Sequence, residues 1–248
     1  MAGSFDYNED FFKSQSGGSY KSAKVVIAFL TKHVFLPRSV LDVGCGCGTW
    51  LKAWREAGVA KIRGIDGNTL PENLLYVERN EISEMDLDTI RKEDSEKYDL
   101  AMSLEVAEHL KTENSANFVR FLTSSADIVL FSAAIPHQQG NNHINTQPLS
   151  FWVELFAQEG FECFDIVRPW LLANVGNSGD VEPWYIQNTL IFAHKEKKDV
   201  LTSKGYNPVA NPVLFYYGDL MNYLTRYCKF CFRIIPTARR IKHKLLGK

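Results

Sequence analysis

The sequence contains no unbroken apolar run of about 18 or more residues, so no membrane-spanning helix is expected. Its first stretch, Met1 to Tyr20, is polar and acidic and lacks the basic-then-apolar order of a secretory signal. Cysteine is scarce: there are five, an odd number with no secreted framework spacing. That argues against a disulfide-stapled scaffold and for a reducing, cytoplasmic setting. Net charge is almost absent at −1, so no global electrostatic pull toward nucleic acid exists and no nucleic-acid partner is expected. Hydrophobic residues make up 45% of the chain and charged residues 23%, an ordinary balance that can build a sizeable core. The length of 248 residues suits one α/β domain with an appendage rather than two full domains.

What is present centres on Val40-Leu41-Asp42-Val43-Gly44-Cys45-Gly46-Cys47-Gly48-Thr49-Trp50. Val40 to Val43 is short, apolar and β-branched, as a strand buried on both faces should be. Leu51 to Ala57 reads as a helix that Gly58 stops. Strand, glycine turn and helix open a nucleotide-binding α/β fold. The glycines accept positive φ and let a ligand approach the backbone. Cys45 and Cys47 serve as small spacers between them. The spacing separates cofactors, since a dinucleotide fingerprint needs G-x-G-x-x-G and Thr49 stands where its third glycine would be. The P-loop also fails, because no Gly-Lys-Ser/Thr closes the turn. Asp42 in the turn and Asp66 after the next strand suit a ribose-bearing ligand.

This turn resembles the first motif of the class I S-adenosylmethionine (SAM)-dependent methyltransferases. The resemblance implies a Rossmann-like α/β sheet, mostly parallel with its last strand antiparallel, and helices on both faces. It implies SAM as cofactor, held by Asp42, Gly44, Cys45, Gly46, Gly48 and Asp66, with Leu104 beside it. Asp86 and Leu87, in the loop after the third strand, would meet the adenine. Ser19 to Val34 has helical apolar spacing, and in the family such a helix covers the pocket, so Tyr20 and Ser22 are candidates to touch the cofactor. The expected divisions are an arm and cap helix over 1–36, the methyltransferase domain over 37–197 and a tail over 198–248.

Further strands are expected at Ala60 to Ile65, Leu75 to Val77, Tyr98 to Leu104, Ala126 to Ser132, Phe161 to Val167 and Thr189 to Ala193. Pro148 to Glu159 reads as a helix. Arg168 to Asn188 reads as a loop carrying Trp170, Trp184 and Tyr185, whose aromatic faces suit either core packing or a sugar ring.

Two stretches carry the chemistry. Glu105-Val-Ala-Glu108-His109-Leu follows the fourth strand, and on a helix Glu105, Glu108 and His109 would share a face. Acidic residues in a first turn complement the helix dipole. Alternatively Glu105, Glu108 and His109, with His143 from a distance, form a mixed oxygen and nitrogen site for a divalent metal. The E-x-x-E-H pattern is similar to that of two metal-dependent groups, the small-RNA terminal ribose methyltransferases and the quinone-precursor O-methyltransferases. The second stretch runs from Pro136 to Pro148. If it is extended, His143, Asn145 and Gln147 point to one side and suit a polyhydroxylated ligand. His143 is the first candidate for general base and His109 the second. Glu105, Asn145, Gln147, Trp184 and Tyr185 are the candidates to contact substrate.

Several segments together resemble a subgroup of bacterial methyltransferases associated with surface-glycan gene clusters. They are Ser103 to Leu110, Phe131 to Gly140, His143-Ile-Asn145-Thr-Gln147, Phe151-Trp152 and Trp184-Tyr185-Ile-Gln-Asn188. The resemblance implies O-methylation of a sugar or of a nucleotide- or lipid-linked glycan precursor. Methylation of RNA ribose or a quinone-type diol, and non-catalytic SAM binding, are the alternatives. Cys47 and His137 depart from the pattern. After Asp219 no acidic residue follows, while Arg226, Lys229, Arg233, Arg239, Arg240, Lys242, Lys244 and Lys248 interleave with aromatic and aliphatic residues. Packing on the domain is the first expectation for this tail, and peripheral contact with the inner face of the membrane the second. Cys228 and Cys231 read as packed helix cysteines rather than as a metal site, since no second pair accompanies them.

Overall fold

The computed structural model describes residues 9–175 and 178–212. The basic tail beyond Asp219, with Cys228 and Cys231, lies outside them.

Seven strands form one sheet in the order β3-β2-β1-β4-β5-β7-β6. They are β1 (Ser39–Val43), β2 (Lys61–Asp66), β3 (Ile82–Glu84), β4 (Leu100–Leu104), β5 (Ile128–Ser132), β6 (Phe161–Phe164) and β7 (Leu190–His194). β1 pairs in parallel with β2 and β4, and β2 with β3 and β4 with β5 likewise. β7 runs antiparallel to β5 on one side and to β6 on the other. The last strand is therefore antiparallel and sits inside the sheet, with β6 at the edge. β4 and β5 are buried along their whole length, which is why their sequences show no polar alternation.

The helices are α1 (Glu9–His33), α2 (Thr49–Glu56), α3 (Ser115–Ser125), α4 (Leu149–Gln158), α5 (Val167–Val175), α6 (Pro183–Asn188) and α7 (Asp199–Thr202). α1 packs on α2 and α5, and α5 on α6, to form one layer. α3 and α4 form the other. Between α4 and the sheet, the Phe156 and Phe192 rings stack 3.8 Å apart, and Phe131 meets Phe156 edge-on at 5.4 Å.

Three local expectations need correction. The third strand is Ile82–Glu84, not Leu75 to Val77. The earlier segment is irregular because the Tyr76 amide donates to Cys47 O at 2.8 Å, which ties it to the glycine turn instead of the sheet. The sixth strand ends at Phe164, and Val167 already begins α5. The stretch from Arg168 to Asn188 is not a loop, since most of it lies in α5 and α6. Pro183 occupies a first-turn position of α6, where a missing N–H costs nothing. Arg168, fully buried, pairs with Asp165 and donates from Nη1 to Gln187 O at 3.0 Å, joining α5 to α6.

The chain leaves β1 toward β2 on one side and β4 toward β5 on the other. In an open α/β sheet that reversal opens a crevice at the carboxyl ends of the two central strands. Asp42 and the glycine turn end β1, and Leu104 and Glu105 end β4.

Candidate active site

The turn after β1 is set by sterics. Gly44, Gly46 and Gly48 have φ of 83°, 52° and 80°, the left-handed region that other residues enter at a cost. A Cβ on Gly44 would come within 2.3 Å of Val106 Cγ2, and one on Gly48 within 2.8 Å of Val77 Cγ2. These two glycines therefore admit neighbouring valines, and the closeness expected for a ligand is taken up by protein. Gly44 and Cys45 amides donate to Ile65 O at 2.7 and 3.1 Å.

Asp66 braces this turn. Its Oδ2 accepts from the Gly46 amide at 2.8 Å, and Oδ1 accepts from the Asn68 amide at 2.9 Å and Nδ2 at 3.2 Å. Asp42 is different. It is 3% exposed, it lines a cavity of about 450 Å³, and no donor among the described residues reaches its carboxylate. Burial, and then the charge of Asp66, push its pKa up to about 8.

That cavity is also lined by Gly44, Cys45, Gly46, Leu104 and Glu105 and, on the far side, by Trp184 and Tyr185. Tyr20, Gly48, Asp66, Asp86 and Leu87 do not line it. Tyr20 donates its hydroxyl to Glu56 at 2.5 Å. Ser22, buried, donates to Gly18 O at 2.8 Å and accepts from the Glu182 amide at 2.9 Å, clasping α1 to the start of α6. Asp86 is exposed and caps its own turn, accepting from the Asp88 amide at 3.0 Å. Leu87 is buried in the core. The α1 residues that face the cavity are Ser16 and Ser19, which the sequence reading passed over. Ser19 Oγ lies 2.9 Å from Thr49 Oγ1 and 3.4 Å from the Tyr185 hydroxyl.

At the end of β4 the backbone turns sharply. Glu105 adopts φ 56°, and only a short 3-10 turn follows, Ala107–His109, not the expected helix. Glu105 therefore stays beside Glu108 but outside the set of ligand atoms that converge. Its Oε1 accepts from Asn188 Nδ2 at 3.0 Å and its Oε2 from Gln138 Nε2 at 2.8 Å.

Glu108, His109 and His143 do converge, with one candidate ligand atom from each lying within 4.8 Å of the others. Glu108 is fully buried, and among the described residues neither carboxylate oxygen has a hydrogen-bond partner. Burial pushes its pKa well above the usual carboxylate range, and the neighbouring Glu105 pushes the same way. His143 Nε2 lies 4.0 Å from Glu108 Oε1. The Nδ1 atoms of His109 and His143 lie 3.2 Å from Asn142 O and Gln138 O. A carbonyl only accepts, so each Nδ1 is the donor and each ring presents Nε2 as its lone-pair nitrogen. Burial, and then His143, lower the His109 pKa to about 4. Two imidazoles held by carbonyls beside a buried carboxylate are the donor set and outer support that a divalent cation takes.

Asn145 and Gln147 do not face the cavity. Asn145 is 1% exposed and spent on packing: Nδ2 donates to Ala107 O and Ser115 Oγ, and Oδ1 accepts from Thr112 Oγ1 and Gln147 Nε2. The Ile144 and Asn145 amides both donate to Glu108 O, at 2.9 and 3.0 Å. This knot holds the segment carrying His143 against the segment carrying Glu108.

The sequence pattern of the methyltransferase domain family matches residues 18–165, which hold the glycine turn, the carboxyl end of β4 and the histidine segment. The chain belongs to that family. Among solved structures this methyltransferase is similar to a sugar N-methyltransferase from Streptoalloteichus, with 12% identity over 78% of this chain and 95% of that one and a TM-score of 0.56. It is similar to a SAM-dependent methyltransferase from Archaeoglobus fulgidus, with 18% identity, 77% and 100% coverage and a TM-score of 0.52. It is also similar to magnesium protoporphyrin IX methyltransferase from Synechocystis with bound S-adenosylhomocysteine, with 18% identity, 78% and 90% coverage and a TM-score of 0.50. At these identities the likeness establishes the fold. No curated protein matches the chain. Among the described residues, no helix is long and apolar enough to cross a membrane.

Proposed function

We propose that this methyltransferase uses SAM to O-methylate a sugar, carried as a nucleotide- or lipid-linked precursor of a bacterial surface glycan. The observation that supports the acceptor class is a second cavity, of about 850 Å³, that shares Gln138, Gln139, Gly140, Asn141 and His143 with the first. His137 and Thr146 complete it, so every side chain facing it is polar. Such a wall recognises a ligand rich in hydroxyl groups.

When bound, SAM supplies a methyl group on a sulfonium whose positive charge is lost as the methyl leaves. Asp42 suits that cofactor because it is a buried, cavity-facing carboxylate lacking a donor, and the cationic groups of SAM complete it. The chain's main contribution is alignment of cofactor and acceptor. Bound SAM would give up its methyl group to the acceptor oxygen and keep the bonding electron pair on sulfur, and His143 Nε2 would accept the proton that the acceptor hydroxyl loses. A divalent ion on Glu108, His109 and His143 would instead lower the pKa of a hydroxyl. That cluster favours a second reading, metal-assisted methylation of RNA ribose or a quinone-type diol. The basic, aromatic-rich tail suits an anionic membrane surface, where a lipid-linked precursor resides.

The test is incubation with methyl-labelled SAM and an extract of glycan precursors, with and without a chelator. Label in the sugar fraction is the expected result. Label confined to RNA or quinones, or none in any fraction, overturns the assignment. Chelator sensitivity decides the metal.

A further inference from the structure

Gln138 has no assigned part in the chemistry above, yet it hydrogen-bonds to Glu105, His143, Gln187 and Asn188. It follows His137, whose φ of 70° is left-handed, and its own amide donates to Ile135 O at 3.0 Å. This turn aims the Gln138 side chain inward. There Nε2 donates to Glu105 Oε2 at 2.8 Å, and Oε1 accepts from Gln187 Nε2 at 3.0 Å and Asn188 Nδ2 at 2.8 Å. Asn188 Nδ2 also donates to Glu105 Oε1 at 3.0 Å. Glu105, Gln138 and Asn188 thus close a triangle across three separate parts of the chain. The main-chain carbonyl of the same glutamine accepts from His143 Nδ1 at 3.2 Å.

The histidine ring is held from below as well. A Cβ on Gly140 would lie 2.1 Å from both Cε1 and Nε2 of His143, so the ring occupies the space a side chain at 140 would fill.

We infer that Gln138 is a positioning residue: its side chain pins the loop to Glu105 and Asn188, and its carbonyl thereby fixes His143 in the form that keeps Nε2 bare toward the cavity. An imidazole held only by water favours the opposite tautomer, with the proton on Nε2 and no lone pair facing the substrate. The hydrogen bond to the other nitrogen decides between the two. The consequence holds whether His143 acts as a base or as a metal ligand, since both need Nε2 unprotonated. Its relevance to catalysis rests on the proposed methyl transfer, but the tautomer itself does not.

The experiment reads nitrogen chemical shifts of the His143 ring in the full chain, with chelator present, at about pH 8 where an ordinary histidine is neutral. The wild-type protein is expected to carry the proton on Nδ1. Gln138→Glu sets two carboxylates against each other, and Glu105→Gln sets two amides against each other, so each is expected to release the loop and shift the ring toward Nε2–H. The double variant restores a donor opposite every acceptor in the triangle. It is expected to regain the Nδ1–H tautomer, and with it labelled methyl transfer to within about threefold of wild type, where each single variant loses at least about tenfold. The far-ultraviolet circular dichroism spectrum should match wild type in all of them, which reports that each variant is folded. An Nε2–H ring in the wild-type protein overturns the inference, as does a double variant no better than the singles. An Nδ1–H ring in a protein that methylates no sugar leaves the positioning role standing and removes the substrate assignment instead.

Discussion

The closest packing in the glycine turn gives a quantitative handle on what the turn is for. Gly44 has φ 83°, and an added Cβ would lie 2.3 and 2.7 Å from the two methyl carbons of Val106. Gly44→Ala therefore carries two separable penalties. The left-handed backbone costs about 1–2 kcal/mol for a residue with a Cβ. Overpacking against Val106 adds about 1–3 kcal/mol. Together they predict a loss of about 2–5 kcal/mol, read as a fall in the urea midpoint at unchanged slope. Val106→Ala removes both methyl carbons and leaves the backbone penalty with a single tight contact, to the Cβ at 3.0 Å. In that background Gly44→Ala should cost only about 1–2 kcal/mol, a coupling of about 1–3 kcal/mol between the positions. Equal costs in the two backgrounds, within about 0.5 kcal/mol, would show that the valine is not what excludes a side chain at 44. SAM affinity of the four proteins should follow the same cycle, because the valine lies beside Glu105 and a turn pushed off it moves the cavity wall.

Asp42 links binding to pH. Its pKa is about 8 when folded against an ordinary value of 3.8, so between these the folded state holds a proton that the unfolded chain has lost. Stability of the ligand-free protein should therefore be full at the acid end of that window and fall as pH rises through it. The limit is about 6 kcal/mol for the whole shift. Asp42→Asn should flatten that slope, and a parallel pH series of urea melts on both proteins checks it. Cationic SAM favours the ionised carboxylate, so binding near neutral pH should release a proton, seen as a calorimetric heat that depends on the buffer. Asn145→Ala removes four side-chain hydrogen bonds, two buried and two part-buried; a loss of about 3–4 kcal/mol is expected in denaturant unfolding. A manganese titration should show binding that His109→Ala weakens at least about tenfold, and no binding by the wild-type protein would remove the metal reading.

Much of the fold was legible because its buried strands are short and β-branched. Val40 to Val43 and Ala126 to Ser132 read correctly on composition alone. Leu75 to Val77 reads the same way and is not a strand. Its apolar residues serve a different purpose: Val77 fills the space over Gly48, and the Tyr76 amide bonds to Cys47 O. Composition registers burial and cannot say whether the partner is a neighbouring strand or a turn. The segment from Arg168 to Asn188 misled in the opposite sense. It reads as a loop, but its prolines stand where a first helical turn tolerates them, and the ion pair of Arg168 with Asp165 supplies the hold that local propensity does not.

The site was legible where a residue type is tied to one strand end and illegible where two loops must meet. Asp42 and Glu105 stand at the carboxyl ends of β1 and β4, and strand position alone brought them to the cavity. Glu105, Glu108 and His109 were grouped by helical spacing, but the chain makes a left-handed turn at Glu105 and a 3-10 turn after it. What gathers Glu108, His109 and His143 is the pair of amides from Ile144 and Asn145 on Glu108 O, a contact between segments some 35 residues apart that no period reports. The polar loop was read by alternation, which put Asn145 on the substrate side. An asparagine in the core of such a knot looks identical in sequence to one that faces a sugar. The glutamine five residues before His143 carried a usable signal, since a side chain whose own carbonyl holds a histidine must lie on the same short loop. Gln187 and Asn188, in turn, stand in the same motif as Trp184 and Tyr185, whose rings are its more conspicuous half. The amide half closes the triangle on Glu105, so the residues that orient the chemistry come from the segment whose aromatic rings only line its wall.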